Sequence, residues 1–430
     1  MIGGRIACAI DPRIAARLSA GMRVALVTGT NGKSTTTKML HAALSTWHSV
    51  PRDLSKHSSS RHSAPSGCAW NSGGDNMLSG ITSALLNAPH ATLASLEVDE
   101  MYIKKVADLV DPAAFVLLNL SRDQLDRVGE IATVERRIRT TLAEHPDALV
   151  IANCDDPLIA SAAWDCENVV WVSAGMSWRL DATTFPRTGT RVRFDKDGTW
   201  SVDATYQRPT PTWQYDDSTG ELLSPEGRFP LQLSLPGQFN YGNAVQAIAC
   251  ASSMGAPILQ AIKGVQKITE VAGRYAQYSI RGRNVRLFLA KNPAGWHEAL
   301  GTLHIHASRI ILAVNGQEAD SQDLSWIWDV DFESLSHKLD MRASASAPES
   351  ASAPSRIIAS GQRAADLAVR LRYADIPCQM IHDPWEAIMQ SAPGDIEILA
   401  NYTAFRDLKA RIHREGYAPA NTHEHRSKNE

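Results

Sequence analysis

The chain has 430 residues, 44% of them hydrophobic and 21% charged, with a formal net charge of −3. That length allows two or three domains with a sizeable core, the composition excludes a disordered chain, and the charge gives no reason to expect nucleic acid. No apolar run approaches the ~20 residues of a membrane helix, and the opening MIGGRIACAIDPRIAARL is broken by Asp11 and Pro12 too early for a signal-peptide core.

The first informative stretch is RVALVTGTNGKSTTTKML, residues 23–40. Residues 24–27 are short, apolar and β-prone, as a buried strand should be. Residues 28–32 are small and punctuated by glycine, and residues 34–44 read as a helix opening with hydroxyls. Strand, glycine loop and helix together aim backbone N–H groups and a helix N-terminus at an anion. In that arrangement Lys33 reaches the outer phosphates, and Ser34 or Thr35 offers an oxygen to magnesium. The strict phosphate-loop pattern wants a glycine where this chain has Val27. An ordinary strand-to-helix turn is the bland alternative; the whole run Gly29, Asn31, Gly32, Lys33, Ser34 and Thr35 weighs against it.

Further along, ATLASLEV, AAFVLLNL, DALVIAN and NVVWVSA read as strands alternating with helical stretches, so residues 1–265 predict an α/β sheet. Residues 53–67 are a polar surface loop. Residues 177–230, rich in Thr, Arg, Trp and Pro with short β-like pieces, read as an inserted β subdomain. A second α/β series begins near Val271 with VRLFLA, RIILAVN, SRIIAS, CQMIHD and IEILANY, giving a second domain over residues 266–430. Within it MRASASAPESASAPS, residues 341–355, is low-complexity linker, expected to be flexible. The six cysteines Cys8, Cys68, Cys154, Cys166, Cys250 and Cys378 are scattered with no C-x-x-C pair. They indicate neither a zinc site nor a disulfide framework and fit a reducing cytoplasm. His57, His62, His304, His306 and His423 have no metal-ligand companions and read as structural or solvated. Asp155 and Asp156 precede a proline, and an Asx turn and a nucleotide contact stand equally open there.

Five motifs in order resemble the ATP-binding central domain of the Mur ligases: TGTNGKST, LEVDE, NLSRDQLDRVGE, IANCDDP and LPGQFNYGNAVQAIA. Those enzymes activate a carboxylate as an acyl phosphate and let an amine attack it, and their shorter G-x-x-G-K loop accounts for Val27. In the second half, VAGRYAQY, LAKNPAGWHEAL and VNGQEADSQDLSWIWDVDFE resemble the MurT branch, the synthetase subunits of lipid II isoglutaminyl synthase. That resemblance extends over nearly the whole chain. It implies an α/β architecture: a Mur ligase P-loop ATPase domain with an inserted small β subdomain like a degenerate zinc ribbon, then a Rossmann-like C-terminal domain. It also implies ATP and Mg2+, and a heterodimer with a glutamine amidotransferase of the GatD kind. That partner supplies ammonia, which amidates the α-carboxylate of D-glutamate in the stem peptide of lipid II. The implied location is the cytoplasm, at the inner membrane face when acting on lipid II.

Site residues follow from the resemblance. Gly29, Thr30, Asn31, Gly32, Lys33, Ser34 and Thr35 would bind the phosphates and, through Ser34, magnesium. Glu97 is the expected magnesium-binding glutamate; a strand-end cap is its rival role. Asn240 and Asn243 should lie near the nucleotide, Arg274 near its phosphates, and Lys291, Asn292 and Pro293 replace the H-N-P of the amino-acid-adding Mur ligases. Asp323 would complete a Cys–His–Asp triad with the glutaminase, orienting the partner's histidine. A helix N-cap is the competing role for Asp323, and Asp329 and Asp331 are alternative triad members. Trp326 and Trp328 read as core or interface packing.

Three departures stand out. The four cysteines of the MurT zinc ribbon are missing; Ser177, Leu180, Ser201 and Ala204 stand near their places, beside a retained Arg208 and Pro209. A β subdomain without zinc is expected, packed by Trp178, Phe194, Trp200, Tyr206 and Trp213. The A-D-G-R-D of the branch reads A-D-S-Q-D here, ending at Asp323, so a turn has lost its glycine. Gln124 stands where amino-acid-adding Mur ligases use a metal-binding histidine. With no cysteine in a G-x-C-x-G context, a lone chain should have little glutaminase activity. The alternatives are a peptide-forming ligase of the muramyl or folylpolyglutamate kind, and a non-catalytic scaffold for the glutaminase.

Overall fold

The structure, a computed structural model, describes residues 2–48, 67–122, 131–269, 274–320, 323–345 and 356–419. Residues 53–66 of the expected polar loop, Gln124, His57, His62, His423 and residues 346–355 of the expected linker lie outside them. The chain divides into two compact units, residues 1–121 with 129–269 and residues 122–128 with 270–430.

The first unit is built on β1 (Arg23–Thr28), β2 (Cys68–Trp70), β3 (Leu93–Glu97), β4 (Ala114–Leu117), β5 (Leu149–Asn153) and β6 (Val169–Ser173). Two short strands, β7 (Arg193–Phe194) and β8 (Trp200–Ser201), form a separate ribbon. Then β9 (Trp213–Asp216), β10 (Glu221–Ser224) and β11 (Gly227–Pro230) return to the main sheet, whose order is β11-β10-β9-β6-β5-β4-β1-β3-β2. The strands from β2 to β6 pair in parallel, and β1, β3 and β4 are buried along nearly their whole length, as strands covered on both faces must be. Strand order reverses at β1, and the glycine loop leaves its C-terminal end, the usual ligand crevice of such sheets.

The expected β insertion over residues 177–230 is therefore too long. Residues 213–230 extend the central sheet: β9 pairs in parallel with β6, and β10 and β11 follow antiparallel. The separate ribbon keeps a small core of its own. Phe185, Val192, Trp200 and Val202 are buried with Ala160, and Trp164, Phe194 and Tyr206 pack against them. Phe185 lies 4.8 Å from Tyr206 and 5.9 Å from Trp200 between ring centroids, and Arg179 caps the Phe194 ring at 5.0 Å. Of the expected packing residues, Trp200, Phe194 and Tyr206 belong to this core, whereas Trp213 sits in β9 and Trp178 donates its indole N–H to Asp181 at 2.8 Å. Phe185 and Trp164 complete it.

The second unit has β12 (Tyr275–Ile280), β13 (Arg283–Leu289), β14 (Arg309–Ala313), β15 (Ile357–Ser360), β16 (Cys378–Met380) and β17 (Gly394–Ala400), in the order β12-β13-β17-β14-β15-β16. All pair in parallel except β12, an edge hairpin closed by Arg281 and Gly282, both with positive φ (49° and 78°) as a type I′ turn requires. Its strand order reverses between β14 and β17. The helix Phe332–Ala345 runs into the expected linker, so residues 341–345 are helical rather than low-complexity coil.

Candidate active site

The helix Lys33–His48 begins directly after the glycine loop. Gly29 and Gly32 take φ of 134° and 87°, conformations that only glycine adopts freely. They also sit where no side chain fits. A Cβ on Gly29 would lie 2.9 Å from the Asn119 backbone, and one on Gly32 would lie 2.6 Å from Asn243 Oδ1. The loop is braced from β4's exit: Asn119 Oδ1 accepts the Asn31 N–H at 2.9 Å, and its Nδ2 donates to the Asn31 carbonyl at 3.0 Å. Thr30 Oγ1 donates to the Ser121 carbonyl at 3.0 Å and accepts the Ser121 N–H at 2.9 Å. So the loop's conformation is imposed before any ligand arrives, which is the condition for cheap anion binding.

Lys33 is buried. Its Nζ donates to the Gly29 carbonyl at 2.6 Å and the Thr30 carbonyl at 3.2 Å, and pairs with Glu100 Oε1 at 2.9 Å. Glu97 ends β3 beside Val27 of β1 and is only 2% exposed. Asn71 fixes its backbone, accepting the Glu97 N–H at 2.8 Å and donating to the Glu97 carbonyl at 2.8 Å. The Glu97 side chain points instead toward Gly74. At that glycine, whose φ is 72°, a Cβ would stand 3.6 Å from Ser34 Oγ and 4.0 Å from Glu97 Oε2. A hydroxyl and a buried carboxylate converge on a space that glycine keeps clear. Hard oxygen donors with room for water and phosphate are what Mg2+ takes. Among the described residues no group of three or more His, Cys, Asp or Glu forms a metal cage, so such an ion would complete its shell from nucleotide and water.

Asn240 and Asn243 lie on the helix Phe239–Ser253, where Asn243 Nδ2 donates to Asn240 Oδ1 at 3.3 Å and Asn240 Nδ2 to the Pro236 carbonyl at 2.6 Å. The contact of Asn243 with Gly32 brings this helix to the phosphate loop. Asp155 and Asp156 are structural. Asp156 caps the helix Pro157–Ala163, accepting N–H bonds from Leu158 at 2.8 Å and Leu120 at 2.8 Å. Asp155 holds Arg208 at 2.7 Å, the Gly175 N–H at 2.7 Å and the Ser173 hydroxyl at 2.9 Å. Arg208 thus ties the chain leaving the ribbon to the end of β5.

The Mur ligase middle domain family model matches residues 27–251, more than half of the chain. The chain belongs to the Mur ligase family. A second family model, the MurT ligase C-terminal, matches residues 289–405. Among curated proteins it is 27% identical to the lipid II isoglutaminyl synthase subunit MurT of Streptococcus pneumoniae, across 95% of this chain and 91% of that one. It is 25% identical to the MurT subunit of Staphylococcus aureus, across 96% and 92%. Among solved structures, a pseudomurein peptide ligase type C from Methanothermus fervidus superposes with a TM-score of 0.63 at 18% identity, over 92% of this chain and 79% of that one. MurF from Acinetobacter baumannii gives 0.60 at 17%, over 93% and 78%. These structures share the fold. The family is one of ATP-dependent ligases.

In the MurT-type second unit, Arg274 precedes β12 and its carbonyl accepts the Leu289 N–H at 2.9 Å. Lys291 Nζ lies 5.6 Å over the Tyr402 ring. Asn292 is a helix cap: it is buried and accepts the Gly295 N–H at 2.8 Å, starting the helix Pro293–Thr302. Asp323 is exposed, and its Oδ1 accepts the Ser325 N–H at 2.8 Å, which opens the 3-10 turn Ser325–Asp329 and holds its carboxyl below the usual range. The N-cap of that turn is Leu324, so Asp323 makes an Asx turn just ahead of it and keeps an accessible carboxylate. It lines a hollow of ≈ 230 Å³ with Trp328, Arg363 and Asp366. Trp326 is buried, but Trp328 is 52% exposed and meets Tyr373, 74% exposed, edge-on at 5.4 Å. Asp331 is taken up by Ser334, whose N–H it accepts at 3.1 Å. Sequence reasoning missed Asn71 and Gly74, and gave no role of their own to Asn119 and Glu100, which stand inside the motifs NLSRDQLDRVGE and LEVDE; the glycine pair in NSGGDN was the available signal for Gly74.

Proposed function

We propose that this chain is the ATP-dependent synthetase subunit of a lipid II isoglutaminyl synthase, working with a GatD-like glutaminase in peptidoglycan synthesis. The observation that carries the reading is the pairing, in one chain, of a Mur-type phosphate loop with a MurT-type domain that presents an accessible carboxylate, Asp323, beside exposed Trp328 and Tyr373. Exposed aromatics beside a charged group are what partner surfaces use.

Lys33, the N–H groups of residues 30–35 and the helix N-terminus would hold the β- and γ-phosphates of ATP. Lys33 exchanges Glu100 for phosphate as the nucleotide enters. Ser34 and Glu97 would hold Mg2+, which neutralises phosphate charge in the transition state. The γ-phosphoryl passes to the D-glutamate α-carboxylate of the stem peptide, giving an acyl phosphate and ADP. Ammonia then attacks the acyl carbon, phosphate leaves, and the amide forms. Asp323 orients the histidine of the glutaminase and stabilises its charged form. The chain acts in the cytoplasm, at the inner membrane face where the lipid-linked substrate is presented. The ribbon takes no zinc, a reading supported by its own aromatic core. The test is amidation of lipid II with ATP and Mg2+, fed either by ammonium chloride or by glutamine with the glutaminase. Transfer of a free amino acid instead would return the peptide-ligase alternative.

A further inference from the structure

The loop over residues 314–320 leaves β14 where the strand order of the second sheet reverses. It carries a carboxylate that none of the roles above uses. Asp320 is 7% exposed and ends the 3-10 turn Glu318–Asp320. Its Oδ1 accepts the Thr403 N–H at 2.9 Å, and its Oδ2 accepts the Thr403 hydroxyl and, at 3.3 Å, the Gln317 N–H. Thr403 is fully buried in the first turn of the helix Tyr402–Arg414, so the carboxylate sits where the helix dipole favours it. The same helix holds the loop twice more: Gln317 Nε2 donates to Asp407 at 2.9 Å, and Arg406 donates to Gln317 Oε1 at 2.9 Å. Just upstream, Asn315 and Asn401 exchange two hydrogen bonds, at 2.7 and 3.0 Å.

Asp323 stands three positions beyond Asp320, within about 11 Å along the chain. Beyond Asp323 the chain is anchored again, because Leu324, Trp326 and Ile327 are buried in the second unit's core. We propose that Asp320, bonded to Thr403, is the positioning residue that sets the aim of Asp323 at the glutaminase's histidine. This rests on the triad role proposed for Asp323.

The test uses the full chain in complex with its glutaminase and four variants: Asp320→Asn, Thr403→Val, Thr403→Ser and Asp323→Asn. Asp320→Asn leaves one accepting oxygen for two N–H groups, so its NH2 faces the N–H of either Thr403 or Gln317; Thr403→Val is milder and removes only the hydroxyl bond. Glutamine hydrolysis is split into kcat and KM, and amidation fed by ammonium chloride is followed separately. Asp320→Asn should lower kcat for glutamine on the order of 10²-fold, as misplacement by about an ångström does. Thr403→Val should lower it less and Thr403→Ser should restore it, with KM and ammonia-fed amidation unchanged. Hydrolysis lost in Asp323→Asn but kept in both Asp320→Asn and Thr403→Val would overturn the positioning role. A matching fall of ammonia-fed amidation would overturn it too, as mere structural damage. Hydrolysis kept in Asp323→Asn would remove the triad role itself, and the positioning with it.

Discussion

At the scale of single residues, the phosphate loop separates groups that make the fold from groups left for chemistry. Asn119 and Asn71 spend their side chains on backbone, whereas Ser34 and Glu97 converge beside Gly74 and Lys33 pairs with Glu100. Lys33→Ala should therefore reduce ATP turnover on the order of 10²–10³-fold, read from steady-state phosphate release, with calorimetry confirming that the chain stays folded although Glu100 loses its partner. Glu97→Gln should raise the magnesium concentration needed for half-maximal rate, read from a metal titration at fixed ATP. Asp156 behaves differently. Burial, with a smaller push from the charge of Asp155, raises its carboxyl to about 6, against three N–H bonds that pull it down. A carboxyl raised in the folded state lends stability in full below its unfolded value of about 4 and loses it as pH rises through about 6. Wild type should thus lose about 1–3 kcal/mol relative to Asp156→Asn between pH 4.5 and 7.5, measured by denaturant unfolding at each pH. Two curves that run parallel would contradict the burial argument. The loop residues were legible because glycine, lysine and hydroxyl contiguity is itself the chemistry. Asn71 and Gly74 were not, because β2 and β3 must pair before they come beside Ser34.

At the scale of elements, the parallel strands were readable because burial on both faces makes them continuous apolar runs. Edge strands were harder. In β12 burial alternates residue by residue, and β2 has only three residues. The strands β9 to β11 share the Trp- and Thr-rich texture of the ribbon before them, so composition alone merged the two. The ribbon itself is held by aromatic packing. Trp200 is almost fully buried and donates its indole N–H to the Cys154 carbonyl at 2.8 Å. Trp200→Ala should cost about 3–5 kcal/mol, and limited proteolysis should then cut first within residues 177–212; cleavage elsewhere first would contradict a separately packed ribbon. Gly32→Ala tests the loop–helix contact. A methyl 2.6 Å from Asn243 Oδ1 must displace that side chain, so nucleotide affinity should fall, and the double variant with Asn243→Ala should recover part of it in a nucleotide-binding titration.

At the scale of the whole molecule, the chain has two α/β units, to which the proposed function gives separate roles. The first is the Mur ligase nucleotide domain, and the second is of the MurT C-terminal type. Motif order made the first unit legible, and three motifs in the second half pointed to the second. The division of labour predicts that damage to one unit spares the other's chemistry: phosphate-loop variants abolish amidation from either nitrogen source, whereas Asp323 variants abolish only the glutamine-fed reaction. The most direct measurement is mass spectrometry of lipid II incubated with the purified chain, ATP, Mg2+ and ammonium chloride, and in parallel with glutamine and the glutaminase. Conversion of the D-glutamate α-carboxylic acid to the amide in both arms, each with release of phosphate, is the expected result. Unchanged lipid II in both arms, with chain and partner folded and in complex, would contradict the account.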